Sequence, residues 1–153
     1  MIEIFYKENG QMMVFQSEAD FATIPYESVI WIDLFAPSGE EKRAVETFLG
    51  TTIQNRAQAE EIEISSRFSE TEQAIFANTS FLIPGPGEYT EETVSFILTD
   101  HILTTLRECP LKSFTDLQRR LMAFPKMYES GHVAFLSIME QRVDLDADMV
   151  ELV

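Results

Sequence analysis

Along the first sixteen residues, apolar and polar positions alternate. "IEIFY" (2–6) and "QMMVFQ" (11–16) flank Asn9-Gly10. Period-two alternation marks a half-buried strand, and Asn-Gly accepts the positive φ angles of a tight turn, so the stretch predicts a β-hairpin. "VIWIDLF" (29–35) is apolar at nearly every position and predicts a strand buried on both faces, with Asp33 as its exception. Ser38 stands three residues before Glu41, the spacing of a capping box. Ala44, Val45, Phe48 and Leu49 then follow at helical intervals and Gly50 is placed to stop them, which predicts a helix ending at Leu49. A second helix is expected over residues 55–63.

Three strand-like runs come next: "AIFANTSFLI" (74–83), "ETVSFILT" (92–99) and "HILTTLRE" (101–108). Pro84-Gly85-Pro86-Gly87 separates the first two, and Asp100 marks a reversal before the third. "SFTDLQRRLMAF" (113–124) returns to helical spacing through Phe114, Leu117, Leu121 and Phe124, with Ser113 as the expected cap. From Gly131 to Val153 the pattern is one long helix with an apolar stripe of Leu136, Met139, Val143 and Val150. The order predicts an α/β fold: a mixed β-sheet sandwiched by helices over residues 1–128, then the first part of a long acidic helix over 129–153. That helix meets no Gly, Pro or basic last turn, so the chain reads as cut inside it. Such a stripe is expected to leave the chain monomeric or paired through it.

Composition narrows the function. A chain of 153 residues fits one domain, and 45% hydrophobic content with 12 Phe supports a full core. One cysteine, Cys109, excludes an internal disulfide and fits an intracellular setting; beside Pro110 it reads as a packing residue. Eleven basic against 26 acidic residues give −15, a charge that repels phosphate backbones and attracts cations. Nucleic acid is not an expected partner. The chain shows neither a secretory leader nor a membrane-spanning apolar run.

Catalytic patterns are missing. There is no Gly-x-Ser-x-Gly elbow, no His-Glu-x-x-His and no glycine-rich phosphate loop, and His101 and His132 read as end residues of a strand and a helix. "DLDAD" (144–148) imitates half a calcium loop, but Met149 stands where that loop needs glycine and the closing Glu would fall past Val153. It reads as an acidic helix face. "AEEIEISSRF" (59–68) sets Glu60 and Glu61 side by side. Adjacent helical residues point about 100° apart, so the pair suits two neighbouring ions, or one ion shared with another chain, better than chelation of a single ion. Magnesium, which keeps several waters and takes one or two carboxylates, fits such a loose arrangement.

Taken in order, "VIWIDLFAPSGEE", "AEEIEISSRF" and "VSFILTDHILTTLR", followed by "SF" and a helix containing "RRL", resemble the cytosolic N-terminal region of the CorA family of divalent-cation channels and transporters. The resemblance covers the chain from residue 1 to its end. It implies a cytosolic regulatory, metal-sensing domain on the inner side of the cell membrane, with no enzymatic activity. In the full-length transporter it would form part of a pentameric funnel, and the membrane would be reached only through helices absent from this sequence. In many members an acidic Glu-Asp pair binds regulatory metal between subunits; position by position the resemblance carries this to Glu60 and Glu61, with Ala59 and the longer Glu61 as departures. The implied ion is Mg²⁺ or another divalent cation such as cobalt. Alternatives are the zinc-transporting, ZntB-like branch and a free-standing acidic interaction module.

Overall fold

The computed structural model describes residues 1–16, 21, 23–53, 68–70 and 74–151, of which 68–70, 84 and 142–151 by backbone only. The N-terminal hairpin pairs β1 (Ile2–Glu8) with β2 (Gln11–Phe15). Asn9 and Gly10 take φ of 53° and 78°, the doubly positive turn whose twist matches that of the flanking strands. Strand β3 (Val29–Phe35) is buried along almost its whole length, as its unbroken apolar run requires. Helix α1 (Gly39–Leu49) opens on Ser38, whose Oγ accepts from the Glu41 N–H while Glu41 Oε1 accepts from the Ser38 N–H. Gly50 closes the helix in the left-handed region with φ 71°.

A short strand β4 (Phe68–Glu70) precedes β5 (Ile75–Pro84), β6 (Tyr89–Thr99) and β7 (Ile102–Arg107). Helix α2 (Lys112–Ala123) and a long helix α3 (Gly131–Glu151) complete the described elements. Seven strands form one sheet in the order β2-β1-β3-β7-β6-β5-β4. Every pairing is antiparallel except β3 with β7, so the sheet is mixed. The excursion through α1 and β4–β6 lies between β3 and β7, long enough to let β7 return parallel.

Two apolar layers follow from strand alternation. One face sets Ile2, Ile4, Ile32, Leu34, Ile97 and Ile102 against Val45 and Leu49 of α1. The other sets Phe5, Trp31, Phe81, Phe96 and Leu103 against Phe114, Leu117 and Leu121 of α2 and Ala134 and Ile138 of α3. The sheet is therefore sandwiched by helices. Rings organise the second layer: Phe5 stacks on Trp31 at 4.9 Å, Trp31 meets Phe114 edge-on at 5.8 Å, and Phe135 of α3 meets Phe96 at 5.1 Å.

Some expectations change. The sequence pattern did not anticipate β4, a strand of three residues, too short to show a period. The expected helix over 55–63 lies outside the described residues. Ser113 does not cap α2: the capping position is Leu111, without a side-chain hydrogen bond, and Ser113 is buried in the first turn. Burial of Leu111 pulls the chain in two residues earlier than a cap at Ser113 would. The stripe expected to be exposed on α3 is divided, with Leu136 61% exposed while Met139 packs on the core beside Ile138. The rotation of α3 is set where it begins. The Gly131 N–H donates to His101 O at 2.6 Å, and a Cβ there would collide with Leu103 N and come within 2.7–2.8 Å of Ile102 C and Ile30 O.

Candidate functional site

Glu60 and Glu61, the carboxylates that the resemblance nominates, lie outside the described residues, as do Ala59 and Arg67 of the same segment. Among the described residues no three His, Cys, Asp or Glu side chains come together to hold a metal ion. Residues 144–148 lie within the helical backbone of α3 rather than in a loop.

His101 does not begin a strand. It occupies the turn before β7, beside Asp100, whose φ is 53°. Its Nε2 lies 3.0 Å from Tyr26 O and its ring meets the Tyr26 ring edge-on at 5.6 Å. The Tyr26 hydroxyl donates to Asp100 Oδ2 at 2.8 Å. Burial, then this hydrogen bond and the Asp100 charge, push the Tyr26 hydroxyl up to about 12, so it stays protonated at neutral pH. The half-buried imidazole thus joins the turn to the segment before β3. His132 is exposed near the start of α3.

Among the described residues, the most tightly organised polar group sits where the parallel pair ends. Asp33 on β3, 1% exposed, accepts from Arg107 Nη2 at 2.7 Å and from Arg107 Nε at 3.1 Å. Thr105 Oγ1 donates to the same carboxylate at 2.9 Å and accepts from Trp31 Nε1, also at 2.9 Å. Arg107 Nη1 donates to Cys109 O at 3.0 Å, and its guanidinium lies over the Phe35 and Phe114 rings at 4.5 and 4.9 Å. Both charges are thus hydrogen-bonded and closed off by aromatic rings. Such an arrangement anchors the sheet to α2; it has no open position for a substrate. Asp33, the exception in its apolar run, pairs across the sheet. Sequence reasoning missed Arg107, whose only signal was a cation ending an apolar strand. Cys109 packs against the second apolar layer, as expected of it.

At the start of α1, Glu41 Oε1 also accepts from the α-ammonium of Met1 at 3.1 Å. Burial acts to raise this carboxyl, but the Ser38 N–H and the ammonium outweigh it and hold the group below the usual carboxylate value.

With this architecture in view, the chain falls in a recognisable fold class: the α/β/α fold seen in the soluble domain of CorA and the cytoplasmic domain of ZntB. It superposes on the soluble domain of CorA from Methanocaldococcus jannaschii with a TM-score of 0.62 and 17% identity, covering 99% of this chain and 62% of that one. The ZntB cytoplasmic domain from Vibrio parahaemolyticus gives 0.59 at 12% identity, covering 97% and 61%. At such identities the likeness concerns the fold. Sequence goes further: the chain is 33% identical, over 99% of its length, to the magnesium transport protein CorA of Wolinella succinogenes. Across that length it belongs with the CorA family. No family model matches it. The chain spans about half the length of the curated relatives it matches, 49% in that case.

Proposed function

We propose that this chain is the cytosolic, metal-sensing part of a CorA-like transporter of magnesium or cobalt. The observation that carries the reading is the 33% identity to a magnesium transport protein along 99% of the chain. The mixed sheet with helices on both faces supports it, and so does a charge of −15, which concentrates cations near the surface. Among the described residues no helix is long and apolar enough to cross a membrane. In this reading the membrane is reached through other parts of a longer protein, and the domain lies on the cytoplasmic side of the cell membrane.

Glu60 and Glu61 are the residues assigned to the regulatory ion. In an assembled pentamer their carboxylates would face a neighbouring subunit, and unscreened like charges would push the two surfaces apart. Divalent cations between them would relieve that repulsion and favour the closed assembly. Gating then follows from the difference in ion affinity between closed and open states. A few water-mediated carboxylate contacts bind weakly, which suits an ion present at high cellular concentration.

A magnesium titration followed by backbone NMR shifts, beside a Glu60→Ala, Glu61→Ala variant, tests the assignment. Saturable shifts centred on residues 59–68 and lost in the variant are expected. Shifts spread over the whole acidic surface and unchanged in the variant would remove these two residues from the site. Repeating the titration with cobalt and zinc ranks the ions.

A further inference from the structure

Charge is unevenly spread along this chain. Residues 112–126 hold Lys112, Arg119, Arg120 and Lys126 against a single acid, Asp116, although the net charge is −15. Arg119 and Met122 are neighbours on the outer side of α2, Phe124 closes the helix, and Lys126 stands on the turn that follows. The Arg119 side chain is 78% exposed and only grazes Asp116, at 3.9 Å. Met122 and Phe124 are 48% and 57% exposed, and Arg119, Arg120 and Phe124 border a shallow hollow of about 360 Å³. Exposed apolar groups rimmed by charges of one sign mark an interaction surface.

The opposite character is found on β5 and β6. From Ile75 to Thr99 there is no Lys or Arg, and the acids Glu88, Glu91 and Glu92 crowd near the hairpin tip. Strand β4 pairs with β5 only as far as Ala77, and β7 with β6 only from Ser95. Among the described residues, Asn78–Pro84 and Tyr89–Val94 thus form a two-stranded arm that projects past the sheet. Such a ribbon draws its stability from what covers it. Phe81 and Ile83 turn one face onto the second apolar layer. Alternation places Leu82, its cross-strand partner Glu91, and Tyr89 on the other face. There Leu82 and Tyr89 are 46% and 43% exposed, beside the exposed Glu88.

The two surfaces belong to opposite ends of the molecule. The turn after α2 delivers Gly131 to the backbone of Leu103, at the start of β7. Leu103 lies level with Ile75 through Leu98, and β5 then runs ten residues to Pro84, about 30 Å away. The acidic tip therefore points away from the end of α2 that carries Phe124 and Lys126. Between copies the surfaces match in kind, an aliphatic and an aromatic group on each, flanked by charges of opposite sign.

We propose that the arm tip of one copy, through Leu82, Glu88, Tyr89 and Glu91, docks on the Arg119–Met122–Phe124–Lys126 surface of the next copy. The contact is head-to-tail: each copy gives its arm to one neighbour and receives an arm from the other. Repeated with a closing rotation, such a contact builds a ring and not a two-fold pair, as a pentamer requires. Ring closure rests on the assembly proposed above; the contact itself uses neither Glu60 nor Glu61.

Sedimentation velocity of the 153-residue chain over a concentration series, at low and at high NaCl, tests it. Association that grows past the dimer with concentration and weakens with salt is expected. Two reversal variants, Glu88→Lys with Glu91→Lys and Arg119→Glu with Lys126→Glu, should each weaken it by roughly tenfold, as expected of two exposed ion pairs. Mixed one to one, they should associate again, because the altered arm of each then meets a complementary surface on the other. Circular dichroism checks that each variant keeps its fold. A chain that stays monomeric overturns the contact, including one that is monomeric but sediments with phosphatidylserine vesicles. So does a species that stops at the dimer, an association indifferent to both reversals, or a mixture that fails to associate. The magnesium titration at Glu60 and Glu61 is read separately, so either idea can fail without the other.

Discussion

Asp33 and Arg107 are joined by Thr105 and Trp31 in one buried network, and the energetic consequence of that burial is asymmetric. Removing Arg107 leaves a carboxylate that is 1% exposed without its cation. Arg107→Ala should therefore cost about 3–5 kcal/mol, read from urea unfolding. Replacing both partners by apolar residues, Asp33→Leu with Arg107→Met, should cost less than the two single changes added together. A simple sum would mean that the pair does not act as a unit. Neither residue announced this role. A lone Asp in an apolar run and an Arg 74 positions away are legible as oddities, but their pairing is created only when β7 lies parallel to β3.

Among the elements, those with local signals were legible in advance. The Asn9-Gly10 hairpin, the Ser38–Glu41 box and the Gly50 stop each close within a few residues, so the chain itself specifies them. Helix α3 illustrates the other case. Its periodicity is plain, yet which of its residues face the core depends on how Gly131 seats against β3 and β7. Hydrogen bonding to His101 O brings that backbone closer to Ile30 and Leu103 than a side chain tolerates. Gly131→Ala should displace the start of α3, with the largest loss of hydrogen-exchange protection in Ala134–Ile138 and a loss of stability on the order of 2–4 kcal/mol from the disturbed core. Unchanged protection there would show that α3 docks without a close backbone approach.

For the whole molecule, the excess of acidic residues governs the response to ions. Self-repulsion from a charge of −15 lowers stability at low ionic strength. The thermal midpoint should rise with NaCl as screening sets in and then level off. Magnesium compared with NaCl at equal ionic strength then isolates specific binding; an equal rise in both would mean screening alone. At this scale, too, the division between sequence and structure is clear. Alternation, helical spacing and capping determined the elements, the α/β class and the acidic field, because each depends on neighbours a few residues apart or on a simple sum of charges. The resemblance to the CorA family rested likewise on order along the chain. Tertiary structure alone decided the parallel joining of β3 to β7, the burial of Asp33 against Arg107, and the seating of Gly131 of α3 against Ile30 and Leu103. Those features depend on distances between residues far apart in the chain, which no local pattern encodes.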